Sequence, residues 1–461
     1  MKKVTFLLII ILAFTATSLK CLAQVEVKGT GTTGATKTFE TKNGSNSSSL
    51  YIRDDGNTGI GTTTPGYPLD VNGIIRTNAG IKFSDSSFFT STRYGGVYTV
   101  AQSNGDFITI TAALNFINGL IPGAGNTFLL RVMPGTYNEN VQCLQYVHLK
   151  GAGKYVTTIN GTVTAANNCV IEDFHILKGV KCIGTSPTIL HNRITNTDPS
   201  GDGIQITSVG GLGRPWIKEN EITNCLGWGI SSIDVGSDFW AIGNKIIANG
   251  TPAGGGGGIF CNKNSPTISN NIIDYNHWFG IEMLGVSGSP TEPTIDDNVI
   301  GHTDENSGGI GIYMSGYAEP RIMANDIYIN DIGIFINQVT QPSVIGNDIN
   351  YNRTYGIYCN SQGATKRAVI TGNHIHSCAR VAGGAGIYIF NADPMITLNN
   401  ITQNDNAPQP VLPDIDYSTC APGGANNPMI SLNVFDIINR NAPPAATGSF
   451  NVTSNGVIIA P

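Results

Sequence analysis

Pro293-Thr294-Ile295-Asp296-Asp297-Asn298-Val299-Ile300 leads to Gly311-Ile312-Tyr313-Met314, and the wording then returns as Pro320-Arg321-Ile322-Met323-Ala324-Asn325-Asp326-Ile327 and Gly333-Ile334-Phe335-Ile336. The phrase is Pro-x-Ile-x-x-Asn-x-Ile, a polar turn, then Gly-Ile-x-Ile, and it runs from about Pro187 to Ile438. Its Asn falls at Asn192, Asn220, Asn244, Asn271, Asn298, Asn325, Asn347, Asn373, Asn399 and Asn433, at intervals of 28, 24, 27, 27, 27, 22, 26, 26 and 34 residues. A period near 26 that absorbs insertions marks a repeat architecture.

Each unit is too short for a strand-helix-strand crossover with its turns, and its pieces alternate apolar and polar over four to six residues. Three short strands per unit are therefore expected, at Pro-x-Ile, Asn-x-Ile and Gly-Ile-x-Ile. Coiling sets equivalent residues about 4.8 Å apart, so apolar positions line up as inward ladders. The Asn suits a tight corner, where its amide can bond the copies above and below and its backbone tolerates unusual angles.

The rest of the chain frames this repeat. Charged residues are 13% of 461, Gly numbers 57, and the formal charge is −6; without Lys2, Lys3 and Lys20 of residues 1–23 it is −9. Nothing is basic enough to favour nucleic acid or anionic lipid. Residues 1–23 read as a secretory signal, with Lys2 and Lys3 ahead of the apolar run Phe6–Phe14 and Cys21-Leu22-Ala23 before Gln24. That run is too short to span a bilayer, and no later stretch is long and apolar enough. The expected location is therefore outside the cell, secreted or on the surface of a bacterium.

Residues 24–95 form a Gly/Thr/Ser-rich stem or linker. Within them Gly56-Asn57-Thr58-Gly59-Ile60-Gly61, Leu69-Asp70-Val71-Asn72-Gly73 and Gly80-Ile81-Lys82-Phe83-Ser84-Asp85 resemble the short stem of phage tail fibres and of some exported bacterial surface proteins. The resemblance implies an intertwined stalk and a homotrimer; the alternative is a plain flexible linker. Residues 96–440 carry the β-helix, and 441–461 a closing segment with a strand at Val457–Ala460.

Phe107–Ile117 has apolar residues at helical spacing, and Phe128–Met133 and Gly135-Thr136-Tyr137-Asn138-Glu139 follow. This order resembles the opening of pectin-lyase-like right-handed parallel β-helices, in which a helix covers the first coil. The implied fold is all-β, a single-stranded right-handed parallel β-helix of about ten to twelve coils with an N-terminal capping helix. The cap is needed because an open sheet end would pair with another chain. The family holds polysaccharide lyases, hydrolases, epimerases and non-enzymatic surface proteins, so the resemblance implies fold rather than activity.

Eight Cys remain beyond residue 23. Cys182, Cys261 and Cys359 share one inward repeat position several rungs apart, beyond disulfide reach, and Cys225 and Cys378 share another. Buried free thiols acting as small apolar residues are expected.

Complete catalytic signatures are missing. Leu212-Gly213-Arg214-Pro215-Trp216 resembles the pectin methylesterase segment that carries that family's substrate-binding Arg and Trp, and Gly135–Glu139 matches a second motif. The two lie only about 77 residues apart, the Gln-Asp-Thr segment is absent, and Pro215 and Ile217 are what the repeat itself requires. Asn196-Thr197-Asp198 with Gly201-Asp202-Gly203 resembles polygalacturonases, but Pro199 departs from that pattern and a polar turn needs the same residue types.

The repeat used as a ruler singles out other positions. One after the ladder Asn, facing outward, stand Asp326, Asp348 and His374, with Tyr328, Asn350 and His376 two further on. They read as a candidate acid-base set or weak metal site, or as polar residues solvating a strand. The outward position of Gly-Ile-x-Ile reads Tyr313, Phe335, Tyr358 and Tyr388, and Trp216 and Trp240 share a position four before the ladder Asn. Aromatic rings are candidate sugar platforms and equally good cross-strand stacks. Asp198 with Asp202, and Asp304 with Glu305, could hold calcium, without a recognisable loop pattern; no other metal or cofactor is indicated.

The expected function is binding of polysaccharide or cell-surface glycan along the side of the β-helix, without catalysis. The alternatives are a lyase or hydrolase of acidic polysaccharide acting through Asp326, Asp348 and His374, and a structural spacer or adhesin stalk.

Overall fold

The three pieces of the repeat each become a strand in the computed structural model of the protein, which describes residues 36–72, 81–82, 88–89, 94–208, 213–234, 236–253, 255–304, 308–338, 341–360, 367–402, 404, 414–416, 428–435, 438–439, 451–452 and 458–459. The expected signal segment, Leu212, Glu305 and Cys420 lie outside the described residues. The chain divides into two compact units, 1–92 and 93–461. In the first, Lys37–Lys42, Ser48–Arg53 and Thr58–Ile60 pair antiparallel, and Leu69–Val71 joins parallel to Thr58–Ile60.

The second unit is a parallel β-helix of three long sheets. Pro-x-Ile strands form a first sheet of 14 strands, from Gly96–Val100 to Met429–Ser431. Asn-x-Ile strands build a second of 15, beginning at Gly135–Tyr137, and Gly-Ile-x-Ile strands a third of 13, from Val141–Gln142 to Ile438–Asn439. Every pairing in these sheets is parallel until the end, where Ile458–Ile459 runs antiparallel to Asn451–Val452. Ile295, Ile322 and Val344 stack in the first sheet, Ile300, Ile327 and Ile349 in the second, and Ile312, Ile334 and Ile357 in the third, all fully buried. Each such side chain stabilises the fold by about 1.5–3 kcal/mol through burial.

The Asn ladder works as expected in its side chains and differently in its backbone. Asn325 donates its backbone N–H and its Nδ2 to Asn347 Oδ1 at 3.0 and 2.9 Å, and Asn347 repeats both bonds to Asn373. The left-handed residue is the one before the Asn: Ala324 (φ 53°), Gly346 (63°), Gly372 (67°) and Leu398 (57°). The Asn stabilises a corner whose unusual angles its neighbour adopts. Five residues on, Asn249, Asn276, Asn330, Asn352 and Asn404 form a second ladder at the turn into the third sheet, interrupted by Cys225, Thr303 and Cys378.

The Gly of Gly-Ile-x-Ile is required by close approach. A Cβ at Gly311 would stand 2.6 Å from the carbonyl oxygen of Gly333, and one at Gly333 would stand 2.5 Å from that of Gly356.

The capping helix spans Ile110–Asn118 and buries Ile110, Ala113, Leu114 and Ile117. It starts later than its periodicity suggests because Thr109 is the N-cap, its hydroxyl accepting from Ala112 N, while Phe107 packs against Tyr98 and Phe116. Glu139 accepts from the N–H groups of Ile110 and Thr111 at 2.9 and 2.8 Å, and the Tyr137 hydroxyl donates to Met133 O at 2.9 Å. Gly135–Glu139 is thus the device that fixes the helix onto the first coil. All seven described Cys are buried, and none forms a disulfide among the described residues.

Candidate functional site

The register places the candidate residues outward, but on three different sheets. Trp216 and Trp240 pair on the first sheet, their rings stacked 4.7 Å apart at 15°. Asp326, Asp348 and His374 are successive partners on the second. Tyr313, Phe335, Tyr358 and Tyr388 are successive partners on the third. The carboxylate–imidazole set and the aromatic column therefore belong to separate sheets of the same coils.

On the second sheet, Asp348 is the hub. Its Oδ1 lies 3.4 Å from His374 Nδ1 and 3.2 Å from His376 Nε2, and the two imidazoles stack at 4.2 Å. Asp348, His374 and His376 each offer a ligand atom, all within 4.8 Å of one another, so these three could hold a metal ion. Asp326 accepts from Asn350 Nδ2 at 3.0 Å; desolvation pushes its carboxyl above the ordinary range, and the charge of Asp348 adds to this.

The third sheet carries more than its four expected rings. Phe335 and Tyr358 stack at 4.5 Å and 9°, Tyr355 and Tyr388 at 4.8 Å and 11°. The run extends backwards, with Tyr313 5.2 Å from Phe279, and Trp228 stacked on both Phe279 (6.2 Å) and Phe260 (5.2 Å). Ring planes turn along it, by 75° between Tyr313 and Phe335 and 51° between Tyr358 and Tyr388. Ring planes are therefore not uniformly stacked along the run. Within the column, between Phe260 and Tyr313, stands Glu282. It falls at the same Gly-Ile-x position as the rings, as does Phe260, so the repeat used as a ruler contains both.

Other candidates have structural partners of their own. Asn196 Nδ2 donates to Asp202 O at 2.7 Å and its Oδ1 accepts from Asp198 N, which is a turn. Asp202 accepts from Trp228 N and Ser231 Oγ, Asp198 lies 3.6 Å from Lys178, and Asp304 lies 2.9 Å from His277. Arg214 lies 3.8 Å from Asp238, and Trp216 occupies an ordinary strand position opposite Thr188. One cluster had no signal in the repeat. The Tyr94 hydroxyl is 2.7 Å from His148 Nδ1, and His148 Nε2 is 2.6 Å from Glu172 Oε2, beside a 650 Å³ cavity on the first sheet. Lys150, 2.6 Å away, and His148 together hold the Glu172 carboxyl below its ordinary value against its burial.

The family model described as "Right handed beta helix region" matches residues 147–303 and 257–435. The chain belongs to the right-handed β-helix family. The mannuronan C-5 epimerase AlgE6 A-module of Azotobacter vinelandii is similar to this β-helix at 17% identity, covering 75% of this chain and 94% of that one, with a TM-score of 0.45. The catalytic unit of a thermostable GH87 α-1,3-glucanase from Streptomyces thermodiastaticus matches at 14% identity over 78% and 71%, with a TM-score of 0.50. A Geobacillus virus E2 protein, ORF18, matches at 15% identity over 78% and 61%, with a TM-score of 0.33. At these identities the likeness is one of fold. No curated protein matches the chain at a significant level. Among the described residues no helix is long and apolar enough to cross a membrane.

Proposed function

We propose that the protein is exported and binds polysaccharide along the third sheet of its β-helix, without catalysis. The observation that carries this reading is the outward aromatic run from Phe260 to Tyr388 with its turning ring planes. Sugar rings present flat C–H faces that pack on such surfaces, and several rungs of rings suit a chain rather than one sugar. The fold is shared with a glucanase catalytic unit, but the binding reading rests on the aromatic face. The stem-like segment would display the β-helix at a cell surface, as a trimer.

Asp348 with His374 supports the second reading, a lyase or hydrolase of acidic polysaccharide in which Asp326, Asp348 and His374 exchange protons. These groups lie on another sheet from the aromatic run, which favours binding alone. Incubation with acidic and neutral polysaccharides, following ultraviolet absorbance of unsaturated products and release of reducing ends, separates the two. Retention without turnover is expected; turnover abolished by His374→Ala overturns the non-catalytic reading.

A further inference from the structure

His374-Ile375-His376 is the one His-x-His in a chain of seven His. Residues two apart on a strand share a face, and the fully buried Ile375 turns both imidazoles outward on the second sheet. The rung before them supplies a carboxylate. Asp348 is the register partner of His374, and its Oδ1 lies 3.4 Å from His374 Nδ1 and 3.2 Å from His376 Nε2.

These separations suit a coordination shell. Donors bonded to one metal ion at about 2.0–2.1 Å stand about 3.3–3.4 Å apart at the corners of a tetrahedron. His376 is oriented from behind: its Nδ1 lies 3.3 Å from Ser377 Oγ, which leaves Nε2 to the Asp348 side. The side chains of Asp348 and His374 are 50% and 47% exposed, so a fourth ligand position faces solvent.

The charge around the three residues also favours a cation. Asp326 and Asp348 are direct register partners, and like charges so placed repel. No Lys or Arg stands in the two outward columns of this sheet, between Val299 and Asn400 and between Gly301 and Thr402. Arg353 and Arg380, the nearest in sequence, are turned to Asp331 and to Tyr351 O. The other imidazole–carboxylate cluster differs in this respect. At Glu172, Asp173 and His191, Lys150 already reaches both carboxylates, at 2.6 and 2.9 Å, and His191 pairs with Glu219.

We propose that Asp348, His374 and His376 form a site for one divalent transition-metal ion of the Zn²⁺, Ni²⁺ and Cu²⁺ group. Two imidazoles with one carboxylate suit these ions, whereas Ca²⁺ and Mg²⁺ prefer a shell of oxygens. The site lies on a different sheet from the aromatic run and does not rest on the polysaccharide reading. With the metal bound, the His374 lone pair is committed to it, which takes His374 out of the proton exchange of the lyase or hydrolase reading.

The test is calorimetric titration with Zn²⁺ at pH 7.5 of the full chain, carrying no histidine tag and stripped with EDTA. Wild type is expected to take up one Zn²⁺ per chain, and excess Ca²⁺ should not displace it. His374→Ala, His376→Ala and Asp348→Ala, each folded by circular dichroism, should weaken Zn²⁺ at least about tenfold, while Glu172→Gln stays within about twofold. The Cu²⁺ complex should show electron paramagnetic resonance coupling to two imidazole nitrogens, and to one in His374→Ala, a signature that a purely structural role would not give. Wild type that takes up no Zn²⁺ at 1 mM, Zn²⁺ bound equally well after either His is removed, or displacement by Ca²⁺ overturns the site and leaves Asp348 in an ordinary surface ion pair.

Discussion

Replacing Asn347 by Ala tests how the corner ladder holds the β-helix together. The Asn347 side chain accepts from Asn325 N and Nδ2 at 3.0 and 2.9 Å and donates to Ile322 O at 3.0 Å and Asn373 Oδ1 at 2.9 Å, while the residue is 1% exposed. Asn373 Oδ1 keeps Asn347 N, and Asn325 Nδ2 keeps Ile295 O and Met323 O. The uncompensated loss is the buried Asn325 N–H, which no longer meets an acceptor, together with the Asn347 bond to Ile322 O. An orphaned buried amide costs about 1–3 kcal/mol and a lost internal bond about 1 kcal/mol, so a loss of about 3 kcal/mol is expected. The neighbouring Asp348→Asn, at an exposed position, should stay within about 0.5 kcal/mol. Urea unfolding measures the total, and because long repeat arrays can open coil by coil, hydrogen exchange should show protection lost chiefly over residues 319–350. A destabilisation below about 1 kcal/mol, or lost protection spread evenly along the chain, refutes the ladder as the corner's support.

Three further outcomes follow from the same structure. Cys378 occupies a position of the second ladder, bonding Ile349 O weakly at 3.5 Å and standing 3.8 Å from Asn352 Nδ2; Cys378→Asn should restore the amide bonds and stabilise by about 1 kcal/mol in urea unfolding, and a loss of stability contradicts this. Glu282, raised from 4.5 to about 7 in the fold, holds its proton more tightly folded than unfolded. Its contribution is therefore full below about pH 4.5 and is lost as pH climbs to about 7, so Glu282→Gln should gain about 2–3 kcal/mol on wild type between pH 4.5 and 8; a constant difference across that range refutes it. The buried thiols, with Cys225 and Cys378 pushed up to about 12 by burial, should resist a thiol reagent in the native protein and all react after denaturation without reductant; fewer than two reacting thiols shows disulfides instead.

Much of the fold was legible because the repeat reports one geometric fact many times. A misread inward or outward position at Asp326 would have clashed with those at Asp348 and His374. The second ladder was hidden because Cys225, Thr303 and Cys378 break its pattern, and a thiol at a corner does not look like an amide. Glu139 looked like part of a family motif and proved to cap a helix 28 residues away, a contact no local spacing reveals. The site was legible only in pieces. Side-chain direction follows from a period of two, but the sheet on which a strand lies decides whether two outward residues can meet one ligand. His374 and Tyr358 lie on different sheets, and Glu282, an acid amid rings, stands out only in the full column of outward residues on its sheet.

The most direct measurement is retention of the full chain on a polysaccharide panel, wild type beside Phe335→Ala/Tyr358→Ala. The third-sheet account predicts that wild type is retained by at least one polysaccharide and that the double variant, folded by circular dichroism, loses at least tenfold in affinity, while Trp216→Ala stays within threefold of wild type. Equal binding by the double variant, or loss of binding in Trp216→Ala alone, contradicts it.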